Sequence, residues 1–452
     1  MKSEKIIEVK RNKFFAREVT EMPDGMVGVY QLGKLFQLTE NKAGVVLNIR
    51  CSGKKAIDLE VGNDIAIFDD VNDPSSAEMI ILERSKFDIN PINGKEILVS
   101  RYPKTMNFIP VGAKLADGTP HPAAGTGFMS GQLMGFPPDC LNKSNPFAGI
   151  KEEDIFYAIE FIQCSYKNNK FSVDKKELKT IDKILPGYFL GGGHMGGFVT
   201  DGADMLVPFS GSKVNPAGKM YGCGFARFKY INNEWQAVEY TPVAEDLTQF
   251  HGISDFFGNY VEPSMVRAKD GSLVFTCREV GDKPFAPGPQ DAERLKVWRS
   301  EDNGKTWKQI IEIPHFHPLV PLSINRCDNG ELYITTNGYC TENSKGEKVG
   351  SIVLRETVYI WPLKEDFSGL YDQISVRDGN RDFGTPTWGS YWRLDHPQGD
   401  TVRLKDGKLH SILAYRVLEH DECDSDAKLT PYTGCYLDEI ITVGEDLPVW
   451  NF

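Results

Sequence analysis

The chain has 452 residues, 40% hydrophobic and 25% charged, which is ordinary globular composition with ample material for a large core. A net charge of −12 disfavours nucleic acid and anionic membranes as main partners, although a cleft can carry the opposite sign to the surface. The nine cysteines are odd in number and include no Cys-x-x-Cys, so zinc ribbons and redox motifs are not expected, and reduced, buried thiols are.

The N-terminus has no apolar run fit for a signal peptide, and no stretch reaches the ~18 apolar residues of a membrane span. A cytoplasmic protein is expected, or a secreted one whose leader has been removed. Strand-like text follows at residues 44–49 and 64–68. His121 sits in a loop after Asp117-Gly118-Thr119-Pro120 and is a candidate ligand contact. Helical periodicity is plausible only at 172–185, a stretch dominated by Lys and Asp.

His194 is flanked by glycines on both sides, in Gly191-Gly192-Gly193-His194-Met195-Gly196-Gly197. Such backbone lets a ligand approach closely, but no Gly-Lys-Ser/Thr follows, so this is not a phosphate loop. Glu262-Pro263 opens the next strong pattern, ahead of Asp270-Gly271 and Arg278-Glu279. Ser300-Glu301-Asp302-Asn303-Gly304-Lys305-Thr306-Trp307 then reads as a hairpin turn. Gly304 supplies positive φ, Ser300 and Asp302 can bond the turn's own backbone, and Trp307 can fold over it as an apolar lid. This octet is a fold marker and is expected to touch no ligand. A degenerate copy ends at Trp235.

His315-Phe316-His317 would place two imidazoles on one side of a strand, but no third metal ligand is identifiable, and neither a metal nor a cofactor is expected. The run Tyr391-Trp392-Arg393-Leu394-Asp395-His396 gathers aromatic, cationic and acid–base groups. A sugar ring asks for that combination: an apolar face to stack on and donors to grip its hydroxyls.

The strand–turn–strand unit around Asp270-Gly271 recurs at Asp406-Gly407 and Asn329-Gly330, and more weakly at Asp24-Gly25, Asp117-Gly118 and Asp201-Gly202. The intervals suit a four-stranded unit with loop insertions, on a scale of ~40–50 residues per unit or more. The expectation is all-β: one β-propeller domain over 1–452, with four-stranded antiparallel blades around a central channel. Six marked turns set a minimum of six blades. The long interval between Gly25 and Gly118 has room for another, so seven blades are favoured over six.

The octet, the Glu-Pro…Asp-Gly…Arg blade and the turn repeat together resemble the sialidase-like superfamily of Asp-box (BNR repeat) β-propellers, most strongly from about 250 to 420. The resemblance implies that Glu262 is a site glutamate and Arg278 a carboxylate-binding arginine. Arginine suits that role because its planar fork meets a carboxylate with two parallel hydrogen bonds. The Arg-Ile-Pro that opens many sialidases is absent, with Arg17 and Arg101-Tyr102-Pro103 only loose stand-ins. No Tyr/Glu couple is evident in a late blade, where Ala414-Tyr415-Arg416 is the candidate text.

The implied function is a sialidase-like glycoside hydrolase acting on a terminal acidic sugar of an oligosaccharide or glycoside. Glu262, His194 and His396 are the candidate catalytic groups. Arg278, Tyr391, Trp392, Arg393 and His121 are the candidate substrate contacts, and Asp255 and Asp400 are further acids to test. A uronate-lyase or rhamnosidase-type propeller using His and Arg is the alternative, because β-elimination needs a quenched carboxylate and a nearby base. A non-catalytic glycan- or protein-binding propeller is the alternative from another class.

Overall fold

Residues 44–49 show how the sequence builds this fold. Val45, Leu47 and Ile49 join one buried cluster, and Val46 joins another on the opposite face. A strand with both faces covered reads as continuous apolar text, while its period of two still sorts the side chains between two layers. Each such side chain contributes about 1.5–3 kcal/mol by leaving water.

The computed structural model describes residues 6–10, 13–16, 19–21, 27–52, 60–73, 76–102, 105–142, 154–191, 196–216, 218, 220–245, 260–279, 294–314, 316–317, 321–337, 339–340, 355–421, 427–428 and 430–443. Six blades of antiparallel strands stand around a common axis. From the axis outward, blade 1 is Val27–Thr39, Lys42–Ser52, Glu60–Phe68 and Glu78–Arg84. Blade 2 is Thr105–Ile109, Thr126–Phe136, Phe156–Lys167 and Lys170–Thr180, with Glu96–Arg101 continuing its inner edge. Blade 3 is Val199–Asp201, Asp204–Lys213, Gly222–Ile231 and Glu234–Glu245; blade 4 is Tyr260–Arg267, Leu273–Glu279, Arg294–Ser300 and Lys308–Pro314. Blade 5 is Ser323–Arg326, Leu332–Thr336, Thr357–Pro362 and Ile374–Asp378. Blade 6 is Ser390–Arg403, Leu409–Asp421 and Gly434–Val443, and its outer strand is the N-terminal Ile6–Lys10. The two ends of the chain thereby share one sheet and close the ring.

The expectation of seven blades is corrected to six. The strand text read as room for a seventh, at 44–49 and 64–68, forms the second and third strands of blade 1. Phe87–Ile89 and Glu96–Arg101 add to the sheet of blade 2 instead of founding another. The turn joining the first two strands falls at 40–41 in blade 1, not at Gly25. The stretch 172–185 is also corrected: Lys170–Thr180 is the outer strand of blade 2, paired along Phe156–Lys167. Lys170, Asp174 and Lys176 of this strand are exposed, Lys175, Glu177 and Lys179 are half-buried, and of its apolar residues Phe171 is buried, Leu178 half-buried and Val173 exposed.

Apolar clusters fill the interfaces between successive blades. All six cysteines whose side chains are described are buried. Among the described residues, no helix is long and apolar enough to cross a membrane.

The 300–307 turn joins the third and fourth strands of blade 4. Ser300 Oγ donates to Asp302 Oδ1 at 2.8 Å and accepts from Gly304 N at 2.8 Å. Asp302 also accepts from Thr306 N and Thr306 Oγ1, and these bonds hold its carboxyl down to about 2. Trp307 donates to Gly304 O and packs on Phe225 and Phe275. The turn at Asn232-Asn233, before buried Trp235, takes the same place in blade 3.

Candidate active site

The inner strands of three blades are each interrupted on the side of the ring away from the turn to the second strand. In blade 4, Val261 pairs with Arg278 and Ser264 with Thr276, so Glu262-Pro263 faces Cys277 alone. In blade 6, Asp395 pairs with Arg416 and Gln398 with Ala414, so His396-Pro397 faces Tyr415. In blade 1, Leu32 pairs with Leu47 and Leu35 with Val45, so Gly33-Lys34 faces Val46. Each is a β-bulge, which adds a residue, bends the strand and re-aims a side chain. Proline fits there because a bulge residue need not donate to the ladder.

Glu262 and His396 both carry positive φ, 57° and 48°. For a residue other than glycine this conformation costs about 1–2 kcal/mol, and such strain concentrates at functional positions. Two of the residues singled out in the sequence thus occupy strained bulges of inner strands, with the blade 6 bulge two residue pairs further from its turn than that of blade 4.

Arg278 reaches Glu262 across the hairpin: Arg278 Nη1 lies 3.4 Å from Glu262 Oε2. The side chains are 11% and 14% exposed, so the pair is mostly shielded yet accessible at one edge. Arg278 Nε is buried and has no acceptor among the described residues.

Two further residues of the same blade end, Tyr260 and Lys296, escaped the sequence reading, and they join Glu279. Lys296 Nζ donates to Glu279 Oε1 and to Tyr260 Oη, both at 2.9 Å. Burial pushes the Glu279 carboxyl up, and Lys296 pulls it back part of the way. Burial, then the charge of Glu279, push the Tyr260 hydroxyl up to about 12. Counting outward from Asp270-Gly271 aligns Tyr260 with Glu279 only once the bulge is allowed for.

Lys34 was missed as well. It is 2% exposed, and its Nζ donates to Ile324 O of blade 5 at 3.4 Å. Its stem also lies against Gly197, ahead of the first strand of blade 3, so it reaches across the channel. Burial lowers its pKa, and Asp400 on blade 6 opposes that. The signal was a lone lysine in the apolar strand Leu32-Gly33-Lys34-Leu35-Phe36. Trp388, in the loop that enters blade 6, is 97% exposed and was overlooked too.

The remaining sequence candidates divide. Trp392 is 2% exposed; it packs on Phe383 and donates from Nε1 to Gly384 O, so its ring offers no open platform. Tyr391 and Arg393 are also buried, upstream of the bulge on the same strand. Burial pushes the Asp400 carboxyl up against the pull of Lys34. His121 belongs to the loop between the first two strands of blade 2. It lines a cleft with Asp270 and Gly271, at the opposite end of the blades from Glu262. It is not brought together with Arg278. His194, Asp255 and His315 lie outside the described residues. Among the described residues no three His, Cys, Asp or Glu side chains could hold a metal ion together.

No family model matches the sequence, and no curated protein matches it. Solved structures do resemble it. A protein of unknown function from Dyadobacter fermentans superposes with a TM-score of 0.52 at 12% identity, covering 97% of this chain and 99% of that one. A NanB sialidase variant from Streptococcus pneumoniae gives 0.52 at 9% identity, covering 95% of this chain and 70% of the other. The intramolecular trans-sialidase from Ruminococcus gnavus, in complex with oseltamivir carboxylate, gives 0.50 at 11% identity, covering 96% and 97%. At such identities the likeness establishes the fold alone, a six-bladed β-propeller.

Proposed function

We propose that the bulged end of blade 4 is the active site of an exo-acting glycoside hydrolase that takes a terminal acidic sugar. The carrying observation is Arg278. It holds a shielded guanidinium beside Glu262 with one N–H lacking an acceptor. A buried donor left unpaired costs about 1–3 kcal/mol, which a ligand carboxylate would recover. That two sialidase-type enzymes share the fold supports this reading.

In this reading Arg278 grips the sugar carboxylate. Glu262 is the carboxylate that takes a proton from the water whose oxygen bonds to the anomeric carbon as the glycosidic bond breaks. His396, at the bulge of blade 6, gives a proton to the leaving oxygen. The cluster of Tyr260, Lys296 and Glu279 forms the adjoining wall, and Lys34 closes the channel floor.

The test is a panel of aryl glycosides of sialic and uronic acids together with their neutral counterparts. Release of aryl alcohol from an acidic member is expected. Glu262→Gln should lower kcat by about 10²–10⁴-fold. Arg278→Ala should raise KM for the acidic substrate much more than for a neutral one. No release from any member, or full activity in Glu262→Gln, overturns the proposal; an unsaturated product would replace hydrolysis with elimination.

A further inference from the structure

At the opposite end of the ring, blades 2, 3 and 4 enclose a cleft of about 760 Å³. One wall is apolar: Ile109, Pro110, Leu115 and Phe198. The other is made by the turns of blades 3 and 4 and carries Asp201, Arg267, Asp270 and Asp302.

His121 sits in the wall of this cleft and is 5% exposed. Its Nδ1 accepts from Ala123 N at 3.1 Å. A neutral imidazole with Nδ1 accepting carries its proton on Nε2. Burial lowers the pKa of His121, which keeps the ring neutral at pH 7. That Nε2–H is buried and has no acceptor among the described residues. The loop that carries it is held in shape: His121 N donates to Ala113 O, Leu115 N to Thr119 O and Gly118 N to Leu115 O.

The chemistry of the walls narrows the ligand. The cleft is lined by two cationic side chains and four carboxylates, which disfavours an anion. A simple cation would leave the imidazole N–H without an acceptor. A hydroxyl both gives and takes a hydrogen bond without charge, and a pyranose or furanose ring adds an apolar face for the opposite wall.

We propose that this cleft is a second, non-catalytic binding site for a neutral saccharide, with His121 donating to a ring hydroxyl and the carboxylate wall accepting from others. The turn at 300–307, read from sequence as ligand-free, forms part of its rim through Asp302.

Saturation-transfer NMR on the full chain, with neutral arabino-, galacto-, gluco-, manno- and xylo-oligosaccharides, tests this. At least one series should bind. His121→Asn keeps an acceptor for Ala123 N and removes the Nε2 donor. Ala116→Trp fills the cleft from an exposed loop position without touching the core. Each should weaken binding about tenfold or more and leave the unfolding midpoint near that of the wild type. Arg278→Ala, at the other end, should leave this binding unchanged. The proposal is overturned if no neutral series binds, if acidic oligosaccharides compete better than neutral ones, or if Arg278→Ala abolishes binding while Ala116→Trp does not.

Discussion

Glu262 offers a test in which stability and activity move apart. Its φ of 57° is one that a residue with a Cβ adopts at a cost of about 1–2 kcal/mol, and glycine adopts freely. Glu262→Ala and Glu262→Gly both remove the carboxylate and its contact with Arg278, so that loss cancels in the comparison. What differs is the backbone. Glycine relieves the strain and loses about 0.5–1 kcal/mol through its larger unfolded-state freedom. Glu262→Gly should therefore be the more stable variant, by about 1 kcal/mol. At an unstrained strand position the order would be reversed. Urea unfolding of the two variants, compared at equal m-values, reads the difference. Both should lose about 10²–10⁴-fold in kcat on the aryl glycoside cleaved by the wild type. If Glu262→Ala proves as stable as Glu262→Gly, the bulge is not strained. If either variant turns over normally, Glu262 is not the catalytic carboxylate.

Three further outcomes are expected. Asp438, fully buried, accepts from Arg377 Nε at 2.9 Å and Nη2 at 3.1 Å and from Tyr415 Oη at 2.5 Å, and it ties blade 5 to blade 6. Asp438→Ala leaves the Arg377 charge without its counterion and should cost about 3–5 kcal/mol in chemical denaturation; a loss under 1 kcal/mol would show that the cluster contributes nothing net. His410 sits between Glu439, 2.6 Å from Nδ1, and Asp406, 3.0 Å from Nε2. Burial pulls its pKa down, but those two carboxylates outweigh it and the result is raised. The stability it adds is complete below its unfolded value of about 6.5 and is lost as pH rises through the higher folded value. Wild-type Tm should therefore fall more steeply than that of His410→Gln above about pH 6.5, and parallel curves would contradict this. Trp388→Ala should leave Tm unchanged, because the ring is 97% exposed, and should raise KM if the ring stacks on substrate at the entrance to blade 6; an unchanged KM would remove Trp388 from the binding surface.

Much of the architecture was legible because turn chemistry and strand periodicity are local. Asp117-Gly118, Asp201-Gly202, Asp270-Gly271, Asn329-Gly330 and Asp406-Gly407 each lie between the first two strands of a blade. The blade count went wrong where the local signal was absent. Blade 1 makes the corresponding turn with Glu40-Asn41, and without a glycine there its strands looked like spare text. The bulges were legible only in part: proline marks two of the three, at Glu262-Pro263 and His396-Pro397, while Gly33-Lys34 carries no such mark. Register is a long-range property, and a bulge shifts it by one residue, which turns every later side chain to the other face. Arg278 and Asn337 lie at matching distances from the start of the second strands of blades 4 and 5, and Arg416 lies two residues deeper along that of blade 6. Of these, Asn337 donates to Thr357 O within its own blade, and Arg416 is 1% exposed. Arg278 alone of the three pairs with a strained carboxylate at the accessible edge. The Glu-Pro…Asp-Gly…Arg pattern singles out Arg278 in the sequence, while the strain at Glu262 and the pair's accessible edge are features that no spacing rule contains.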